Sequence, residues 1–307
     1  MGIRHLNKFL QKHASQGIQK KLLFSLKNKK IAIDANNYLY KFLCNGDLIP
    51  NLYEFCLLLN YYNIEPVFVF DGEPPPEKMK LIEKRREERK TAKEKYEALL
   101  TLVKENNTKY GEKELKELKR KSIYLSTQNT KESKQLMDYM NYQVIIAPGE
   151  ADVYCCHMVN TDQAYACMSE DMDMFVYGCK RVIRYVSILN NTCIMYNFEN
   201  ILNELNMTHE EFKIMCILSG TDYNKTTRNI YLNYTLFLEY KKSNSKLSFK
   251  DWIQPIDYIS NLNINNIIKL FELKNITGFY FTKIKANKDI TLQQFLENYN
   301  FIFPQAG

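Results

Sequence analysis

Acidic residues recur just past short apolar runs or on helix starts, and this pattern constrains the fold of the 307-residue chain more than any other. IAID ends in Asp34 and VFVFD in Asp71. VIIAPGEAD carries Glu150 and Asp152, YACMSEDMD carries Asp171 and Asp173, and CILSGTDY carries Asp222. Short runs of β-branched and aromatic residues read as buried parallel strands. In an open α/β sheet, ligands bind outside the carboxyl ends of such strands, so distant segments deliver acids to one cleft. Seven carboxylates cannot share a cleft without cations, because like charges force protonation or unfolding. An oxygen-only ligand set favours Mg²⁺ or Mn²⁺.

The strand-like runs at 30–34, 66–70, 144–148 and 164–168 alternate with helical stretches at 36–43, 51–62 and 150–160. Residues 181–186 and 193–198 read as a further strand pair, and 199–205 and 208–218 as helices. Residues 4–13 and 18–26 also read as helices, and the chain past Asp222 as helical. Between the second and third strands of this pattern, Pro74-Pro75-Pro76 breaks the alternation. Residues 77–121 then hold 12 Lys, 4 Arg and 10 Glu, a net +6 that accounts for most of the +7 of the whole chain. Opposite charges at i,i+4 spacing predict long solvated helices with a break at Asn106-Asn107. The segment is too long for an ordinary crossover. It is expected to form a helical arch above the strand ends. A basic flank beside an acidic, cation-loaded cleft suits a polyanion.

The other features narrow the class. No stretch approaches the roughly 20 apolar residues of a membrane span, so no membrane role is expected. The start, MGIRHLNKFL, lacks a signal-peptide pattern. Eight cysteines occur without disulfide or zinc spacing and read as free thiols of a reducing, cytoplasmic compartment. His5, His13, His157 and His209 are scattered and carry no catalytic pattern. Glu170, inside SEDMD, reads as a solvated or capping acid.

These motifs resemble the flap endonuclease/XPG family of structure-specific 5′ nucleases. The resemblance rests on Met1-Gly2-Ile3, IAIDANNYLYKFL, PVFVFDGEPPPEK with KRREER, PGEADVYC, SEDMDMFVYG and CILSGTDY, in the family's order over about residues 1–225. Length and residue usage are most similar to the poxvirus-encoded members, which act in the host cytoplasm. The resemblance implies a PIN-like three-layer α/β/α sandwich with a mostly parallel sheet. It also implies a nuclease core over 1–225, a helical arch inserted at about 76–135, and a helical region over 226–307 with a degenerate helix–three-turn–helix. It makes Asp34, Asp71, Glu150, Asp152, Asp171, Asp173 and Asp222 the ligands of two Mg²⁺ ions, with Mn²⁺ as a substitute. Asp152 stands where Glu is commoner. Lys78 and Arg85 fall on cations that hold the scissile phosphate, Tyr40 on an aromatic that stacks against a base, and Gly2 on a point of close DNA approach. Lys84, Arg86 and Arg89 extend the basic face of the arch.

The implied activities are 5′-flap cleavage and 5′→3′ exonuclease action on branched or 5′-ended DNA in replication, recombination or repair. Three rivals stand beside this: a Holliday-junction-type resolvase of the same superfamily, a non-catalytic DNA-binding scaffold, and a PIN-type ribonuclease. The chain departs from the family pattern in three places. Asn229–Thr235 stands where the family has Gly-x-Gly-Pro-Lys-Arg-Ala, so close approach of backbone to duplex phosphates is not expected at Asn229 and Tyr231. A different grip, through Lys225, Arg228, Lys241 and Lys242, is expected instead. The stretch from Asp34 to Asp71 is short, which leaves double-flap selectivity open. QQFLENY, with Gln293, Leu296 and Tyr299, echoes a sliding-clamp peptide but has Asn300 in place of the second aromatic, and reads as an amphipathic helix.

Overall fold

A computed structural model describes residues 3–106, 112–256, 263–273 and 290–303. In chain order the elements are α1 (Leu6–His13), β1 (Ile18–Leu22), β2 (Lys30–Asp34), α2 (Ala35–Cys44), α3 (Leu48–Tyr61) and β3 (Glu65–Phe70). The charged segment forms α4 (Met79–Asn106) and α5 (Glu112–Ser122), which lie side by side. There follow α6 (Thr127–Tyr139), β4 (Gln143–Ile146), α7 (Ala151–Asn160), β5 (Ala166–Met168) and α8 (Asp173–Val176). The hairpin β6 (Arg181–Ser187) and β7 (Thr192–Asn197) leads into α9 (Phe198–Leu205) and α10 (His209–Leu218). The described remainder is helical: α11 (Ile230–Lys242), α12 (Phe249–Ile253), α13 (Ile264–Leu270) and α14 (Leu292–Glu297). No described helix is long and apolar enough to cross a membrane.

The strands form one sheet in the order β1-β7-β6-β5-β2-β3-β4. The run β6-β5-β2-β3-β4 is parallel throughout, so five carboxyl ends share one edge. Burial explains why these runs are strands. Side chains alternate across a pleated sheet, and here both faces are covered. Ala32, Val67, Val69, Cys167 and Val182 enter the core under α1, α7, α9 and α10. Ile31, Ile33, Phe68, Phe70, Met168 and Ile183 enter the core under α2, α3 and α6. The result is the expected three-layer α/β/α sandwich. Phe295 and Leu296 of α14 belong to the second core, so the QQFLENY segment turns its apolar side inward.

Residues 18–26 correct the helical expectation. Ile18–Leu22 pair antiparallel with β7 as an edge strand, and Leu23–Leu26 form one 3-10 turn. Apolar residues at 18, 22, 23 and 26 mimic helical spacing, but ladder bonds to Thr192–Tyr196 decide the outcome.

One close backbone approach ties the sheet edge together. The Gly72 amide donates to the Gly149 carbonyl (2.7 Å), bridging the chain just past β3 to the turn before α7. A Cβ on Gly72 would lie 2.0 Å from the Ala147 carbonyl oxygen. Gly72→Ala must therefore push these two segments apart and should cost about 1–3 kcal/mol, the usual range for overpacking. Denaturant unfolding tests this, and an unchanged midpoint would refute it.

Candidate active site

The seven acids gather along the carboxyl edge of the parallel strands, each placed by local backbone structure. Asp34 ends β2 and caps α2: one carboxylate oxygen accepts from the Asn37 amide (3.2 Å), the other from the Ser169 hydroxyl (2.9 Å). Asp71 lies one residue past β3 and accepts from the Ala151 amide at the start of α7 (2.8 Å) and from the Asn36 side chain (2.5 Å). Glu150 is the cap residue of α7, and Asp152 sits in its first turn. Past β5, the Asp171 amide donates to the Ser169 hydroxyl (3.1 Å) and the Asp171 carboxylate accepts from the Asp173 amide (3.0 Å). Asp222 follows α10.

Two cations from the base of the charged segment enter this group. Lys78, 8% exposed, forms an ion pair with Glu150 and reaches Asp222 at 3.8 Å. Arg85 pairs with Asp222 at 2.9 Å. Seven residues separate the two, about two helical turns, so one face presents both. Tyr223 donates its hydroxyl to Glu150 (3.2 Å), and its ring faces the Lys78 ammonium at 5.3 Å.

The electrostatics follow from burial and crowding. Burial, then the charge of Asp71, raises the Asp34 pKa to about 7. Burial and Glu150 push Asp152 well above the ordinary carboxylate range, against the pull of Lys78. Burial, Asp171 and Asp222 do the same to Asp173. For Lys78, burial favours the neutral amine, but Asp152 and Glu150 reverse this and hold it above the ordinary lysine value.

A divalent cation fits this donor set. All the donors are oxygens, burial and then neighbouring acids push Asp34, Asp152 and Asp173 toward neutrality, and the buried Oδ1 of Asp173 has no hydrogen-bond partner. Among the described residues no three acids converge closely enough to hold a metal ion as they stand. Lys78 and Arg85 supply the compensating positive charge instead.

The remaining sequence candidates are placed as follows. Tyr40, half-buried on α2, donates its hydroxyl to the Arg120 carbonyl at the end of α5 (3.2 Å). Arg89 stacks over Tyr124 (5.3 Å to the ring centre), Lys84 pairs with Glu88 (3.3 Å), and Arg86 and Lys225 are exposed. Arg228 is not a free surface cation: its guanidinium donates to the Asn233 side chain (3.0 Å). Asn229 caps α11 by accepting from the Tyr231 and Leu232 amides (3.0 and 3.1 Å), so this helix starts where a glycine hairpin stands in the family pattern. Lys241 pairs with Glu211 (3.0 Å), and both it and Lys242 are exposed. Gly2 lies outside the described residues. Glu170 corrects its reading as a solvated or capping acid, since it is ion-paired with Lys41 (3.1 Å) and Arg184 (3.7 Å). Sequence reasoning passed over Asn36, Ser169 and Tyr223, each beside or near an acid that it did single out.

The chain matches the XPG N-terminal domain over residues 1–92 and the XPG I-region over residues 141–222. The first match holds Asp34, Asp71, Lys78 and Arg85, and the second holds the other five acids. It is 33% identical to flap endonuclease 1 of Encephalitozoon cuniculi over 250 residues, covering 75% of this chain and 70% of that one. Flap endonuclease 1 of Glycine max is 32% identical over 250 residues, and the match spans 75% of this chain and 63% of that relative's length. Among solved structures, the catalytic core of Rad2 in complex with a DNA substrate superposes with a TM-score of 0.65 at 18% identity, covering 97% of this chain and 95% of that one. Flap endonuclease-1 from Methanococcus jannaschii gives 0.60 at 21% identity, with 92% and 95% covered. Identity of 33% to a flap endonuclease over 75% of this chain and 70% of that one, with both XPG regions present in order, establishes that the chain belongs to the flap endonuclease/XPG family.

Proposed function

We propose that this protein is a Mg²⁺-dependent, structure-specific DNA nuclease that cleaves 5′ flaps and degrades DNA from 5′ ends. The observation that carries the reading is the carboxyl edge of the parallel strands, where Asp34 ends β2, Asp71 and Asp171 follow β3 and β5, Lys78 pairs with Glu150 and Asp222, and Arg85 pairs with Asp222. Two ions, Mg²⁺ or Mn²⁺, would be held by Asp34, Asp71, Glu150, Asp152, Asp171, Asp173 and Asp222. When bound, such ions generate a nucleophile from water at neutral pH and neutralise charge on the leaving oxygen of a phosphodiester.

The chain's own groups supply the rest. Lys78 and Arg85 carry positive charge to the mouth of the cleft, where the scissile phosphate gains negative charge in the transition state. Tyr40, at the foot of the arch, stacks an unpaired terminal base, a contact worth roughly 1–3 kcal/mol. Lys84, Arg86 and Arg89 track the phosphates of the strand under the arch, and Lys225 and Lys242 meet the duplex. Arg228 acts indirectly by fixing the start of α11. Gly2, outside the described residues, is assigned close DNA approach on the family resemblance alone.

In this reading residues 1–225 are the nuclease core, with the arch at about 76–135, and residues 226–307 are a helical region with a degenerate helix–three-turn–helix. Residue usage, length and eight free cysteines fit a poxvirus-like enzyme of the host cytoplasm acting in replication, recombination or repair. Partners other than DNA are other proteins of those pathways. Sliding-clamp binding through QQFLENY is disfavoured, because Phe295 and Leu296 of α14 are already in the core.

Purified protein should be given Mg²⁺ and a panel of 5′-flap, 3′-flap, nicked, four-way-junction and single-stranded RNA substrates. Cutting of 5′ flaps and 5′ ends is expected. Preference for the junction or the RNA would replace this reading with a resolvase or a ribonuclease. Asp71→Ala or Asp171→Ala should lower cleavage by at least about 10²-fold, in line with the loss of a main transition-state charge stabiliser, and leave DNA binding intact. Cleavage at the wild-type rate in either variant would show that the acids are misassigned.

The raised Asp34 pKa also sets a pH dependence. A carboxyl with a folded-state value of about 7, against roughly 3.9 in the unfolded chain, contributes stability that is lost as pH rises through 7. Without metal, Asp34→Asn escapes this loss, so its melting temperature should gain on wild type by several degrees between pH 5.5 and 8. Parallel melting curves across that range would contradict the burial of an ionising Asp34.

A further inference from the structure

The loop between β5 and α8 carries two of the proposed ligands, Asp171 and Asp173, and is held from behind by a buried arginine that touches neither. Arg184, in β6 and 5% exposed, donates to the Glu170 carbonyl (2.9 Å) and to the Met172 sulfur (2.6 Å). A third bond goes to the Asn7 side chain of α1 (3.1 Å), which also accepts from the Tyr196 hydroxyl (2.8 Å). The Arg184 Nε lies 3.7 Å from the Glu170 carboxylate. That contact, to Oε2, is an ion pair without a hydrogen bond; the other carboxylate oxygen accepts from the Lys41 ammonium (3.1 Å) and the Tyr185 amide (2.9 Å), while the Glu170 amide donates to the Asn37 side chain (3.2 Å). The loop is thereby tied to α1, α2 and β6 on three sides.

The backbone next to the arginine is strained to achieve this. Tyr185 has φ 53°, and the β6–β7 register is irregular between Arg184 and Ser187. A bulky residue in the left-handed region is an outlier, and such outliers cluster at functional sites. The irregularity lets consecutive residues serve one purpose: the Arg184 side chain and the Tyr185 amide both reach Glu170. A buried ion pair rarely earns its place by stability, since well-packed apolar residues often do as well. Its geometry is the better reason, because the planar fork of an arginine fixes two acceptors at once.

We propose that Arg184 and Glu170 are positioning residues, which hold the loop so that Asp171 stays beside Asp34, and Asp173 beside Asp171 and Asp222, where a divalent cation would draw the carboxylates together. The proposal rests on the metal-dependent reading above. Partners that orient ligating groups are typically worth 10- to 100-fold in metal affinity.

The test is Mn²⁺ titration of the metal-free full chain, with free ion read by electron paramagnetic resonance. Arg184→Lys keeps the net charge but loses the fork, so any effect cannot come from a changed field. It should weaken Mn²⁺ binding about tenfold while cleavage at saturating Mn²⁺ stays near the wild-type rate. Glu170→Gln gives a second, nearly isosteric variant with the same expected direction. Leu59→Ala, in the core under α3, serves as a destabilised control. Unchanged Mn²⁺ affinity in both variants would overturn the proposal, as would an equal loss in the control. Absence of Mn²⁺ binding by wild type would instead overturn the metal-dependent reading, and this proposal with it.

Discussion

Carboxylates held close together in a partly buried space repel one another, and the carboxyl edge of this sheet holds six at adjacent strand ends and helix starts, with Asp222 beyond the end of α10 as a seventh. The sandwich tolerates them because compensating groups are built in beside them. Helix-start amides and side-chain donors bind Asp34 and Asp71, and Lys78 and Arg85 bring positive charge to Glu150 and Asp222. Compensation is incomplete. Asp34, Asp152 and Asp173 are still pushed toward neutrality, and a buried oxygen of Asp173 stays unbonded. The residual deficit of positive charge is what a hard cation would fill, and it makes the cleft a ligand-demanding part of the fold.

The same two cations join the arch to the core. Lys78 ends a 3-10 turn just before α4, and Arg85 sits in the second turn of that helix. A 28-residue helix extends about 42 Å, most of it exposed and charged. Its fixed point is therefore the cleft itself, through ion pairs with the very acids it covers. Tyr40 adds a second tie, from α2 to the end of α5. The proposed catalysis and the seating of the arch use the same side chains, so a DNA phosphate entering the cleft would compete for the groups that hold the arch down.

Much of this was legible because burial on both faces leaves a plain mark. IAID and VFVFD are continuous apolar runs ending in or next to acids and became central parallel strands, while VII, four residues before Glu150, became the parallel edge strand. The charge excess of 77–121 likewise marked α4 and α5. What stayed hidden depended on long-range pairing. Ile18–Leu22 has helical spacing, and only its register with β7 makes it a strand. Arg184 reads as an ordinary charged residue in a hairpin strand, and nothing in RVIRYV shows that it reaches back 14 residues to Glu170. Gly72 is one glycine beside three prolines until the Ala147 carbonyl is seen against it. Arg228 could be counted as a surface cation only because its partner Asn233 lies buried one helical turn away.

The central claim is that scattered acids form one pocket for hard cations. Crystals of the full chain soaked in Mn²⁺ and measured for anomalous scattering test it most directly. The account predicts peaks bounded by Asp34, Asp71, Glu150, Asp152, Asp171, Asp173 and Asp222, with Lys78 no longer held by Glu150. An empty pocket at millimolar Mn²⁺, with Lys78 still paired to Glu150, would contradict it.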